Sequence, residues 1–276
     1  MPAERIAENL AFINWTLLTA LAIGSLGAVI LARLRTDATR GFLAFTAACA
    51  VVFGALAYLS DRALPVTLGD SPIVVNAAFD EPRRVAFLVL VGLTAIYTVA
   101  LARGHRAPLL AGLCAAAAVA VLVFAALAWG GGPLGTVPLL LQLALLAVAT
   151  GGVFAAMILG HWYLVTPRIS EQPLVLTTRL LSVAIALQLL LFLVWLAVGY
   201  PGQPPFAALT GPQALFVWLR LIVGILFPLL LTWMAWKTAQ TRSMESATGL
   251  LYIELALVLA STIVAAGLAF SVGLLV

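Results

Sequence analysis

The chain is 276 residues long; 64% of it is hydrophobic and only 9% is Asp, Glu, Lys or Arg. A soluble domain of this size carries about a quarter charged residues, so the composition excludes a water-covered surface and makes lipid the main solvent. The net charge of +4 comes from 14 basic residues, all arginine except Lys237. They sit mostly between apolar runs and form no separate basic domain, which reports membrane orientation and argues against a nucleic-acid partner.

The opening stretch MPAERIAENLAFIN carries acids and no basic segment ahead of a cleavage site. It does not read as a signal peptide, so the first apolar run is expected to stay in the mature chain. Crossing about 30 Å of hydrocarbon takes roughly 20 mostly apolar residues. Eight runs qualify, at 9–33, 41–60, 84–103, 107–129, 136–165, 173–199, 212–237 and 245–274. Breakers separate them: RLRTDATR, GGGP at 130–133, TPRISEQP, and YPGQPP at 200–205. One connection is longer: 61–84 holds four of the ten acids, and 61–83 reads as an external loop. Barrel strands alternate over about ten residues, so these long continuous runs predict helices. The expected fold is an all-α integral membrane protein, one polytopic domain of about eight transmembrane helices.

Orientation follows from the loop charges. Connections after the first, third, fifth and seventh runs carry Arg33, Arg35, Arg40, Arg103, Arg106, Arg168, Lys237 and Arg242. The opposite side carries Arg5, Arg62, Arg83 and Arg84, mixed with Glu4, Glu8, Asp61, Asp70, Asp80 and Glu81. The more basic set is assigned to the cytoplasm, which puts both termini and the long loop outside. A four-plus-four duplication would suit a transporter, but no residue identity between the halves supports it.

Polar residues too deep to reach an interface are the informative ones, because ionisable groups inside a span are costly and face the bundle interior or a wet cavity. Four candidates follow: His161, Arg179, Arg220 and Glu254. His161 lies about 7 Å from the inner end of its run and Arg179 about 9 Å. Arg220 is about 12 Å from the outer end and Glu254 about 14 Å from the inner end. Arg179 can snorkel to the headgroups. Arg220 and Glu254 lie on adjacent antiparallel runs near the midplane and are expected to interact or share a polar cavity. Such a pair either pins two helices or forms a functional site, and an isolated arginine there can bind a propionate or another carboxylate. Pro228, with Gly224 before it, should kink the seventh run.

The stretch AAMILGHWYLVTPRI holds one of only two histidines. Gly152, Ala156 and Gly160 form a small-residue stripe for close helix contact, and His161 is expected beside it, partly buried. Trp162 and Tyr163 suit an aromatic belt, and Pro167 marks the exit. His161 is then an interfacial residue, a metal or haem ligand, a quinone hydrogen-bond donor or a proton carrier. His105, between Arg103 and Arg106, is a second ligand only if it reaches the same haem; otherwise it is a solvated loop residue. Asn14, Gln142 and Gln188 suit hydrogen bonds between helices. Cys49 and Cys114 lie in apolar runs, without CxxC or CxxCH spacing, so a disulfide framework and covalent haem attachment are disfavoured.

Nucleotide-binding, zinc-protease and serine-hydrolase motifs are absent, as are voltage-sensor and selectivity-filter patterns. The leading expectation is a redox membrane protein holding haem b or quinone in the bundle near the cytoplasmic face. His161 would be the ligand, with Arg179, Arg220 and Glu254 completing the cofactor-binding set. The alternatives are a small-molecule or ion transporter with a midplane site at Arg220 and Glu254, and a scaffold or assembly subunit without cofactor. Expected partners are the lipid bilayer and a further protein or a second copy, in a bacterial-type plasma membrane.

Overall fold

A computed structural model describes residues 3–65, 71–131, 135–166, 169–199 and 204–273, with side chains described from residue 9 onward. The helices are α1 (Ala3–Arg35), α2 (Arg40–Arg62), α3 (Asp80–Ala102), α4 (Pro108–Trp129), α5 (Thr136–Val165) and α6 (Gln172–Val198). They continue with α7 (Ala214–Leu221), α8 (Phe227–Gln240) and α9 (Met244–Val272), and a π-helical turn, Ile222–Leu226, joins α7 to α8. Counting Ala214–Gln240 as one segment, eight helical segments among the described residues are long and apolar enough to cross a membrane. They coincide with the eight apolar runs. Local chemistry sets several ends. Thr39 caps α2 by accepting from the Phe42 N–H, prolines open α4 and α6, and Gly273 ends α9 at φ +68°.

α1 and α5 form the centre. They touch at Gly24 and Gly151, where backbone meets backbone: a Cβ on Gly151 would lie 2.6 Å from the Ala20 carbonyl oxygen. On one side of this pair α2 packs on α1, α3 on α2, and α4 on α3; on the other, α6 and α9 pack on α5, with α8 against both. The expected stripe on α5 does bring helices close, since Gly152 meets Leu181 of α6 and Gly160 meets Thr248 of α9. Outward faces are apolar at helical spacing, as in Val52, Leu56 and Leu59 of α2 and Val183, Leu187, Leu190 and Val194 of α6. In water such faces would aggregate; here they suit contact with lipid.

Alternate connections share a face. On one, the Arg33 guanidinium donates to the Gly104 carbonyl at 2.9 Å, Ser170 to Asp37 at 2.7 Å, and Arg242 to Glu171 at 3.1 Å. These bonds tie together all four connections expected to be cytoplasmic. On the opposite face, the connection between α2 and α3 lies over the ends of α4 and α9: the Asn76 N–H donates to Ala128 O at 2.7 Å and the Ser71 hydroxyl to Phe270 O at 2.5 Å. The rings of Phe12 and Phe270 are 5.8 Å apart, so the N-terminal part of α1 and the C-terminal part of α9 share that face. Of the charges used for orientation, Arg168, Asp70 and the side chains of Glu4, Arg5 and Glu8 lie outside the described residues, as does Pro167.

The same face holds a buried charge cluster where the sequence suggests a solvated loop. Asp61 is fully buried at the end of α2. It accepts from Trp15 Nε1 at 2.9 Å, from Arg83 Nε at 2.6 Å and Nη2 at 3.2 Å, and from Arg84 Nε at 3.0 Å. Arg83 also pairs with Asp80 at 2.9 Å and lies 4.5 Å above the Trp129 ring. The helices extend into the expected external loop because a buried carboxylate needs several donors, and α1 and α3 supply them. Asp61, Arg83 and Arg84 therefore hold one another rather than reporting orientation.

Replacing Asp61 would leave the buried Arg83 with only the partly exposed Asp80 as a counter-charge, and the Nε–Nη2 edge of its guanidinium without an acceptor. Asp61→Ala is expected to lose about 3–5 kcal/mol of stability. Arg62→Ala, at the exposed neighbouring position, should stay within about 0.5 kcal/mol. Unfolding in detergent micelles followed by circular dichroism compares the two.

Candidate functional site

The seventh span is built around a backbone defect. Pro228 has no N–H, so it cannot donate to the Gly224 carbonyl four residues earlier. The strand of hydrogen bonds widens there into the π turn Ile222–Leu226, a common response to such an interruption and frequent at functional positions. In an apolar bundle the released carbonyl needs another donor. It finds two: the Ser261 hydroxyl of α9 at 3.1 Å and Arg220 Nη1 at 3.3 Å. Arg220 Nη1 also bonds Ser261 Oγ directly. Glycine is required at 224, because a Cβ there would overlap Ser261.

Arg220 is 2% exposed and Glu254 is fully buried. Glu254 Oε1 contacts the Thr232 hydroxyl, which also lies 2.7 Å from the Pro228 carbonyl; its single hydrogen serves one of these acceptors at a time. Arg220 Nε and Nη2 and Glu254 Oε2 have no hydrogen-bond partner among the described residues. No ion pair joins Arg220 to Glu254. The antiparallel register explains this, since Arg220 faces Ser261 while Glu254 faces Thr232. Ser261 is seven residues beyond Glu254 on α9, about 10 Å along the axis. The expected pair is therefore two levels of one polar seam between Ala214–Gln240 and α9. Alongside it, Thr150 of α5 and Thr262 of α9 share a hydrogen bond at 2.7 Å.

The histidines stand apart from this seam. His161 is exposed, not partly buried, and its Nδ1 is 3.4 Å from the hydroxyl of Tyr252, itself 48% exposed. Gly160 turns toward α9, so the next residue, about 100° around the helix, points outward. Tyr163 is also not a belt residue: it is buried, and its hydroxyl donates to the Ser170 carbonyl at 2.5 Å. Trp162 lies over Gly41 of α2. His105 is exposed in the connection between α3 and α4, with its backbone N–H on Ala100 O at 2.9 Å. Among the described residues no three His, Cys, Asp or Glu side chains are grouped to hold a metal ion. Arg179 is exposed on the outward face of α6, as snorkelling requires.

The chain matches no protein-family model, no curated protein and no solved structure.

A concavity of about 360 Å³ opens between α1, α4, α5 and α6 and is lined by Ile23, Gly27, Ala118, Ala147, Gly152 and Thr177, among others. It is almost wholly apolar. Ser261 and Thr232 do not stand out by residue type, yet a signal for Ser261 exists in the pattern of α9. Ala247, Leu251, Glu254, Val258, Ser261 and Ala265 recur at alternating steps of four and three, and all are buried. A serine on the stripe that carries Glu254 faces the same neighbour.

Ser261→Ala removes a hydroxyl from both Arg220 and the released carbonyl. It should cost about 1–3 kcal/mol in thermal or denaturant unfolding. His161→Ala, at an exposed position, should change stability by less than about 0.5 kcal/mol in the same measurement.

Proposed function

We propose that the chain is a polytopic protein of a bacterial-type plasma membrane that carries a small solute along the polar seam between Ala214–Gln240 and α9. One observation carries this reading: two buried ionisable residues of opposite sign, Arg220 and Glu254, lie inside spans and are not paired with each other. Isolated charges in an apolar bundle are costly, and a pair serving only to pin helices would be expected to make direct contact. The π turn and Pro228 between the two levels add a point where the helix is already interrupted. Interrupted helices near the midplane are a common way for transporters to present binding groups. The connections after α1, α3, α5 and α8 are taken as the cytoplasmic side.

A second reading, a quinone or haem b within the bundle, is favoured by one feature only. The crevice between α1, α4, α5 and α6 has the apolar walls that an isoprenoid tail or a macrocycle edge needs. It would show as a Soret band, or as quinone in the lipid extract of purified protein.

In proteoliposomes, flux of the carried solute should fall at least about tenfold in Arg220→Leu and in Glu254→Gln, equivalent to about 1.4 kcal/mol of lost stabilisation. Arg62→Ala should leave it unchanged. Undiminished flux in both seam variants would remove the site from the pathway.

A further inference from the structure

We propose that Arg220 binds a small carboxylate or another planar oxyanion, gripped by the Nε–Nη2 edge of its guanidinium. The inference names the substrate class for the seam and rests on reading that seam as a solute path.

A guanidinium presents its five N–H donors in a fixed planar fork, and the edge formed by Nε and one terminal nitrogen matches the two oxygens of a carboxylate. This chain uses that edge once already. Arg83 holds Asp61 with Nε at 2.6 Å and Nη2 at 3.2 Å, both residues buried. In Arg220 the division of labour is different. Nη1 alone makes the protein contacts, to Ser261 and to the Gly224 carbonyl. Nε and Nη2, the atoms that grip Asp61 in Arg83, have no partner among the described residues although Arg220 is almost completely buried.

The protein contacts of Arg220 are also neutral. Ser261 and the Gly224 carbonyl orient the guanidinium without cancelling its charge, and among the described residues no acidic side chain pairs with it. Burying one charge of a pair without the other is the expensive arrangement, so a site of this kind is completed by an anion. Two parallel N–H donors prefer an anion with two coplanar oxygens over a spherical one. Gly224 keeps the space beside the Arg220 stem free of a side chain, so substitution there would disturb the same group. The closest chemical match is a monocarboxylate, with nitrate as its planar inorganic analogue. A carboxylate borne by a lipid and one dissolved in water share this chemistry.

The test is calorimetric titration of the full-length protein in nanodiscs with acetate, benzoate, nitrate, chloride and the neutral analogue acetamide. Hexadecanoate, added from the bilayer, serves as the membrane-borne carboxylate and is followed by its displacement of benzoate. Saturable binding of a carboxylate is expected, with none of acetamide. Binding should weaken at least about tenfold in Arg220→Lys, which keeps the charge but loses the fork. If that variant does not fold, competition in the unaltered protein decides: nitrate should displace benzoate at concentrations where chloride does not. Absence of saturable binding by every oxyanion, unchanged binding in Arg220→Lys, or equal displacement by chloride would overturn the proposal. Preference for hexadecanoate over acetate assigns the carboxylate to the membrane; the reverse assigns it to water. Carboxylate binding without flux overturns the transport reading and leaves this site standing. Arg220-dependent flux of a neutral solute without oxyanion binding does the opposite.

Discussion

The contact of α1 with α5 at Gly24 and Gly151 is the constraint on which the other helices depend. Lipid tails are as apolar as leucine, so helices inside a membrane gain little by burying leucine against leucine and associate through close packing instead. With no side chain at either glycine, the two backbones meet directly, and a Cβ on Gly151 would stand 2.6 Å from the Ala20 carbonyl oxygen. That approach leaves faces of both helices for other partners: α2 covers α1, while α6 and α9 cover α5. α9 is thereby held where its stripe from Ala247 to Ala265 can meet α8 and the π turn. The polar seam is downstream of two glycines that carry no chemistry of their own.

Two buried arginines show what a membrane bundle does with charge. Arg83 has a carboxylate on one edge, a second one beside it and an indole beneath it. Every favourable term that can offset desolvation is present, and the cluster joins the ends of α1 through α4. Among the described residues Arg220 has a hydroxyl and a carbonyl only. The difference is not one of burial, because both side chains are almost completely removed from the surface. Structural use of a charge completes its coordination within the chain; incomplete coordination leaves donors for something else.

The spans were legible because a run of about twenty apolar residues needs only composition to be recognised. Arg220 and Glu254 were legible for the same reason, since no snorkelling path fits their depth. What was not legible was phase and register. Where every face of a helix is apolar, periodicity does not tell which way His161 points, and it points outward. Depth counted from helix ends placed Arg220 and Glu254 together, whereas side-chain contacts set α9 about 10 Å out of that alignment. Asp61 and Arg83 are 22 residues apart and look like loop charges. Only the packing of α1, α2 and α3 shows that they share one buried site.

Arg220, Gly224, Pro228 and Ser261 act as one unit, and their contributions cannot be apportioned singly. Pro228 releases the carbonyl of Gly224, and that carbonyl then gives Ser261 and Arg220 a common acceptor. Gly224 lets Ser261 approach, and Ser261 in turn fixes the guanidinium. Residues that share one hydrogen-bond network couple, so their effects do not add. The π turn extends this coupling to the backbone. Removing its extra residue would rotate α7 by about 100° relative to α8 and carry Arg220 away from Ser261. The position of the charge and the conformation of the helix are therefore the same variable, so a change in one is felt in the other.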